Sequence, residues 1–268
     1  LLIKAKKRSH KLFYQYDPYF IVDAPADKKD LLLQVSAFNR QSLRISPTRV
    51  EEVEMQVGLV KKKMLKLYCN EPSDVPLIKA QVPFPCHEYS IPFARRFVFD
   101  MKLVPLHIVS YEREGRVIKK ILSVKPGEPK LSVMSFDIET YNPAGAPRED
   151  KDPVIMMSYA ISDGIRRKGK GVVTYKKSAH SFVEKLADEK AMLERFFKIV
   201  EDEDPDILLG YNSSNFDLPY LEKRTSANKM KLALGRFGGD VKPVKKGLIT
   251  GMRINGRVHV DLYPMVKF

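Results

Sequence analysis

The six residues Ser135-Phe136-Asp137-Ile138-Glu139-Thr140 decide the reading of this chain. They close an apolar run that includes Leu131, Val133 and Met134, and the run predicts a strand over 131–137. Successive side chains of a strand point to opposite faces. Asp137 and Glu139 therefore share one face, and Phe136 and Ile138 the other. Two neighbouring carboxylates repel, and each raises the other's pKa. A divalent cation removes that repulsion, because magnesium and manganese take hard oxygen ligands, often one or two protein carboxylates together with substrate phosphate. The pair reads as a metal anchor, against the alternative of an acidic strand face turned to solvent.

Toward the carboxyl end, a loop rich in Pro and Gly (142–153) leads to a strand over 154–161. A turn at Asp163-Gly164 and a strand over 171–175 follow. Met192, Leu193, Phe196, Phe197 and Val200 recur at helical spacing, which predicts a helix over 187–202 that Asp204-Pro205 ends. A short strand (206–210) runs into Gly210-Tyr211-Asn212-Ser213-Ser214-Asn215-Phe216-Asp217, and a helix follows from Leu218 to about Asn228. Asp217 stands at that helix start, where a carboxylate serves either as a cap or as a third acidic ligand. Asn212 could hold a backbone phosphate or sugar edge, and Phe216 could pack a base or the core. Strands over 248–254 and 257–262 are joined by Asn255-Gly256, a hairpin signal. Strands mixed with packed helices make this half α/β.

Toward the amino end, Lys125-Pro126-Gly127-Glu128-Pro129-Lys130 reads as a linker, which places a domain boundary near 130 and gives domains over 1–130 and 131–268. The first half reads as α+β with a small sheet. Asp17-Pro18 turns a strand–turn–strand over 11–22, a helix covers 27–40, and two strands occupy 50–69 with Lys61-Lys62-Lys63 as a solvated turn between them. A short helix covers 74–82, and apolar, cationic segments follow over 91–100 and 103–108. The 268 residues hold 47 Lys and Arg against 33 Asp and Glu, a net charge of +14 that favours a polyanion, either nucleic acid or an acidic membrane surface. Residues 1–130 carry 24 of those cations against 14 acids, and residues 131–268 carry 23 against 19, so the first half is the stronger electrostatic platform. The two cysteines, Cys69 and Cys86, form no metal-binding pattern and read as free thiols. There is no apolar run of transmembrane length and no signal peptide, so a soluble, intracellular protein without a membrane partner is expected.

These motifs carry a family resemblance. The segment 136–140 (FDIET) resembles the first exonuclease motif of family-B DNA polymerases, and 210–221 (GYNSSNFDLPYL) resembles the second. The stretches 74–76 (DVP), 88–97 (EYSIPFARRF) and 256–264 (GRVHVDLYP) are similar to the archaeal replicative members. The matches run in order over nearly the whole chain. The resemblance implies an RNase H-like exonuclease domain, a mixed sheet flanked by helices, that hydrolyses a 3′ end with two divalent metal ions, Mg2+ or Mn2+. Asp137, Glu139 and Asp217 would be its catalytic metal ligands, with Asn212 and Phe216 on the DNA. It also implies an amino-terminal domain that binds the template strand and captures uracil ahead of synthesis. The matching positions are Pro18, Tyr19, Pro72, Val75, Pro76, Ile91, Pro92 and Phe93, with Arg96 on phosphate; core packing is the alternative for Val75, Ile91 and Phe93.

The expected partners are single-stranded template, the primer 3′ end, the remainder of a polymerase chain and a sliding clamp. The expected location is the cytoplasm and nucleoid of an archaeon, or the nucleus of a eukaryote. The pattern departs from the family in three places. The third exonuclease motif, Tyr-x-x-x-Asp, would follow residue 268, so the two-metal site is incomplete here and the piece alone is expected to be a weak or inactive nuclease. The family's first strand, which contributes to the uracil pocket, is missing or truncated, and Lys79 stands where relatives have Arg. Leu1-Leu2 and Lys267-Phe268 read as the ends of a piece. Asp261 reads as structural or close to substrate. Two rivals remain: a standalone DEDD-type exonuclease, and a non-catalytic polymerase-like DNA-binding subunit.

Overall fold

The computed structural model describes every residue except 1, 6–7, 164–165, 247–248 and 267–268. The chain divides into two compact units, residues 12–128 and residues 2–11 with 129–268. Residues 2–11, counted with the first half by the sequence, form a hairpin, Leu2–Ala5 with Arg8–Lys11, that belongs to the second unit. Lys4 of that hairpin pairs with Asp206, and the Ser9 amide donates to Asp204 at 3.1 Å.

In the first unit the long strands Arg49–Val57 and Val60–Tyr68 pair antiparallel. Their turn is Gly58-Leu59, where Gly58 has φ +61°, and the three lysines 61–63 lie on the second strand, not in the turn. Tyr19–Val22 and then Cys86–His87 complete a four-stranded sheet. One face of that sheet packs Phe20, Val22, Leu65 and Leu67 against Leu32, Val75 and Ile78 of two short helices, Lys29–Leu33 and Asp74–Lys79. Burying each such side chain contributes about 1.5–3 kcal/mol.

Two expectations for this unit change. Phe13–Tyr14 does not pair with Tyr19–Val22 but joins Val117–Lys125 in parallel, its first amide donating to the Arg116 carbonyl at 2.9 Å. The helix expected over 27–40 is a single 3-10 turn and Lys29–Leu33, because the Asn39 side chain accepts from the Gln41 and Leu43 amides at 2.9 Å and builds a turn instead. The segment over 91–100 contains a helix, Phe93–Asp100.

The second unit is built on a six-stranded mixed sheet. Its order is Val183–Lys185, Arg167–Thr174, Val154–Ser162, Val133–Thr140, Ile207–Gly210, Val258–Asp261. Val154–Ser162 runs antiparallel to the strands on both sides of it, and the last three strands are mutually parallel. Met134, Phe136 and Ile138 turn into a core shared with Met192, Leu193, Phe196 and Val200 of helix Glu189–Glu203. Asp188 caps that helix by accepting from the Ala191 amide at 2.8 Å, and Asp204, left-handed at φ 43°, closes it before Pro205.

Asn255-Gly256 is a turn, but not of the expected hairpin. Ile249–Ile254 pairs with Val241–Lys246, whereas Val258–Asp261 leaves to join Ile207–Gly210 in parallel. Residue 248 of the expected strand and Gly164 of the expected turn lie outside the described residues. A buried ionic cluster holds this region. Arg236 and Arg257, both nearly enclosed, meet Asp204 at 2.6 and 2.9 Å, and Arg236 also meets Asp206 at 2.9 Å.

Candidate active site

The central strand Val133–Thr140 alternates as its sequence dictates. Met134, Phe136 and Ile138 are buried, while Asp137 and Glu139 stand exposed on the opposite face. Parallel pairing with Ile207–Gly210 covers only Val133–Ser135. The pairing stops at the carboxyl end of Ile207–Gly210, the side on which open α/β sheets commonly place their ligands. Asp217 meets the central strand just past this point. It is the first residue of helix Asp217–Ala227, is only 2% exposed, and accepts from the Ile138 amide at 3.1 Å. It is thus both helix start and partner of the central strand.

Burial pushes the Asp217 carboxyl up to about 6; the charge of Asp137 adds to the rise, Asp261 adds less, and the Ile138 amide opposes it. Among the described residues neither Asp137 nor Glu139 has a cation or hydrogen-bond donor as a partner, and Asp217 has only backbone amides. Also among the described residues, no group of three or more His, Cys, Asp or Glu is already gathered into a ligand set around one point. Asp137, Glu139 and Asp217 offer hard oxygen donors that have no cation partner among the described residues. That donor chemistry fits Mg2+ or Mn2+ and does not fit a soft metal.

The loop before Asp217 is held from below. Gly210 ends its strand so tightly that a Cβ there would lie 2.4 Å from the Ser213 hydroxyl. Ser213 is fully buried, its hydroxyl 2.9 Å from His259 Nε2. Asn212 adopts a left-handed φ of 60°, which asparagine tolerates better than most residues. Its amide and the Ser214 amide both donate to Asp261, each at 2.8 Å, and the Tyr263 amide donates at 3.0 Å. Burial by itself would raise Asp261; these amides outweigh it and hold the carboxyl below its ordinary range. Asp261 is the loop's anchor. The Asn212 side chain accepts from Asn215 at 3.1 Å, and the half-buried Phe216 ring packs on the core 5.4 Å from Tyr220, as its packing alternative required.

A second support escaped the sequence. Glu189, at the start of the long helix, takes both arms of Arg224 at 2.9 and 2.6 Å, and also accepts from the Val154 amide at 2.9 Å. This links helix Asp217–Ala227 to the helix and strand beside it, and so fixes Asp217. Partners 35 positions apart leave no local pattern to read.

In the first unit, all nine residues named from the sequence, Arg96 included, line one cavity of about 220 Å3, joined by Tyr89 and Ser90. Val75 and Pro18 are buried in its wall, while Pro72, Pro76, Pro92 and Phe93 are exposed at the rim. The surroundings of Arg96 differ from the expected phosphate contact. Its guanidinium is buried, bonded to the Glu88 carboxylate, to the Glu88 carbonyl at 2.8 Å and to the Tyr19 hydroxyl at 3.1 Å. Its charge is met by Glu88, so it serves as a wall of the cavity.

The sequence pattern of the family described as DNA polymerase family B, exonuclease domain, matches residues 84–268. This chain belongs to that family. The family B chain is 30% identical over 273 aligned residues to a DNA polymerase of Desulfurococcus sp. (strain Tok), covering 99% of this chain and 32% of that protein. It is 36% identical over 225 residues to a DNA polymerase of Pyrococcus glycovorans, covering 80% of this chain and 26% of that one. The solved structure of the family B DNA polymerase from the hyperthermophilic archaeon Pyrobaculum calidifontis superposes with a TM-score of 0.68 at 28% identity, over 94% of this chain and 32% of that chain. The chain therefore spans about a third or less of the length of these relatives. Its mixed α/β architecture, RNase H-like in the second unit, is the one that the family resemblance implied. Among the described residues no helix is long and apolar enough to cross a membrane.

Proposed function

We propose that residues 129–268 are the 3′–5′ proofreading exonuclease domain of a DNA polymerase, and that residues 12–128 bind the template strand. The observation that carries the first part is Asp217, buried at its helix start against the Ile138 amide and near the charge of Asp137, with Asp137 and Glu139 on one exposed strand face. Asp137 and Glu139, side by side on an open face, would hold divalent ions, and Asp217 would complete their ligands from the helix. Two such ions, when bound, supply activation of a water and stabilisation of the departing 3′ oxygen. The protein's own part is positional. Ile138 fixes Asp217, Asp261 fixes the loop of Asn212, and the Glu189–Arg224 pair fixes the helix. Manganese titration of the protein by electron paramagnetic resonance tests this. Binding should weaken at least about tenfold in Asp137→Ala and in Glu139→Ala; unchanged binding in both would remove the site.

The template reading rests on the cavity of about 220 Å3 lined by proline, valine, isoleucine and aromatic side chains. That is below the roughly 300–1,000 Å3 of sites for drug-sized ligands and on the scale of one base turned out of its stack. Uracil capture is the specific form of the proposal. Backbone groups would read the edge of the base, and Arg96, tied to Glu88 and Tyr19, would keep the wall in place. Titration with single strands that differ only in one uracil for thymine checks it: tighter binding of the uracil strand is expected, and equal affinity would contradict uracil capture. The rival of a standalone nuclease is disfavoured because similarity to DNA polymerases runs through both units. The non-catalytic rival is disfavoured because all three carboxylates are present.

A further inference from the structure

Beside the small cavity, the first unit holds a second and wider one, of about 520 Å3, and Tyr19 lines both. Tyr14, Tyr16 and Tyr68 also face the wider cavity, with Arg49 and Lys66. Most of its charges are already met. Arg49 binds Asp17 at 3.0 Å and Glu51 at 2.9 Å, and lies 3.6 Å over the Tyr68 ring. Asp100 accepts from the hydroxyls of Tyr16 and Tyr19, the latter at 2.7 Å. Tyr68 donates to Glu51 at 2.8 Å.

Lys66 is the exception. It sits between Leu65 and Leu67, which point into the core, so its own side chain is turned to the opposite face. Its ammonium stands 3.6 Å from the centre of the Tyr19 ring and 5.0 Å from that of Tyr68. Among the described residues it has no carboxylate partner, and it is half-buried. Ring faces attract a cation but do not neutralise it. A partly enclosed, uncompensated ammonium in the wider cavity, against the Tyr19 ring that lines both cavities, is therefore placed for an anion that passes from one to the other.

We propose that Lys66 is a phosphate-binding residue for single-stranded nucleic acid. It would hold the phosphodiester that joins a nucleotide whose base enters the small cavity to its neighbour in the wider one. This rests on the template-binding reading above and adds to it a second subsite, with the tyrosine rings as its stacking surface.

The test is fluorescence anisotropy of the protein with a labelled single-stranded oligonucleotide that carries one uracil, titrated at several salt concentrations. Lys66→Gln should weaken binding about three- to tenfold and reduce the slope of log affinity against log salt by about 0.7, the value of one phosphate contact on a single strand. Lys66→Arg should retain most of the affinity. A neutral methylphosphonate at one linkage flanking the uracil should weaken the wild type by a similar factor and leave Lys66→Gln unaffected. Wild-type affinity and slope in Lys66→Gln overturn the proposal. So does an equal loss in Lys119→Gln, a surface lysine paired with Glu114 outside both cavities. If Lys66→Gln does not fold, the methylphosphonate series on the wild type decides, and no loss at either linkage overturns it. A wild type that binds no single strand refutes the template reading itself, whereas wild-type binding indifferent to Lys66 refutes only this subsite.

Discussion

Asp217 is held in tension between two neighbours: the Ile138 amide favours its charged form, and burial together with Asp137 disfavours it. Its folded pKa of about 6 lies above the ordinary 3.8. A raised carboxylate contributes no penalty below pH 4; in the metal-free protein it subtracts stability progressively between about pH 4 and 6, and the full penalty persists above that. Asp217→Asn should therefore raise the melting temperature of the metal-free protein at pH 7.5. The upper limit of the gain is about 3 kcal/mol, and the gain should vanish at pH 4; an equal effect of the substitution at both pH values would show that burial beside Asp137 does not strain this carboxyl. At this scale the sequence was readable where one residue type at one spacing admits one chemistry. The alternation of Asp137 and Glu139 with Phe136 and Ile138 needed only the period of a strand. Arg96 misled for the opposite reason: an arginine reads as a phosphate ligand until the carboxylate that satisfies it is found, and Glu88, eight positions back, carried no signal of that pairing.

Among the elements, the site depends on how helix Asp217–Ala227 is seated. Glu189 binds Arg224 in a fork-to-fork pair, with both side chains almost enclosed. Burial alone would raise Glu189; the hydrogen bonds from Arg224 and Asn228 outweigh it and keep the carboxyl below its ordinary range. Removing one partner of such a pair leaves the other charge buried. Glu189→Ala should lower stability by about 3–5 kcal/mol in denaturant titration; a loss under 1 kcal/mol would mean that the pair does not seat the helix. Helix Glu189–Glu203 was legible from its apolar spacing and its cap at Asp188, and the two long strands of the first unit were legible from alternation. The pairing of strands was not. Asn255-Gly256 does turn the chain, with Gly256 at φ +80°. A local turn signal does not specify which sheet edge is free, and Val258–Asp261 was drawn to the parallel edge of Ile207–Gly210. The same competition took Phe13–Tyr14 away from its sequence neighbour.

On the scale of the molecule, the net charge of +14 and the ordered motifs pointed to nucleic acid before any fold was known. The architecture and the family agree with that reading. The two units divide between Glu128 and Pro129, but the amino-terminal hairpin belongs to the second because Lys4 and Ser9 satisfy Asp206 and Asp204, acids some 200 positions away that no local pattern links to residues 2–11. The central proposal is that Asp137, Glu139 and Asp217 together serve in cutting from a 3′ end. The most direct measurement follows 5′-labelled single-stranded DNA with manganese, so that shortening from the 3′ end appears as a ladder, in wild type and in Asp137→Ala. Wild type should give at most a weak metal-dependent ladder, and Asp137→Ala should abolish it. Metal-dependent shortening that persists at the wild-type rate in Asp137→Ala would contradict this assignment.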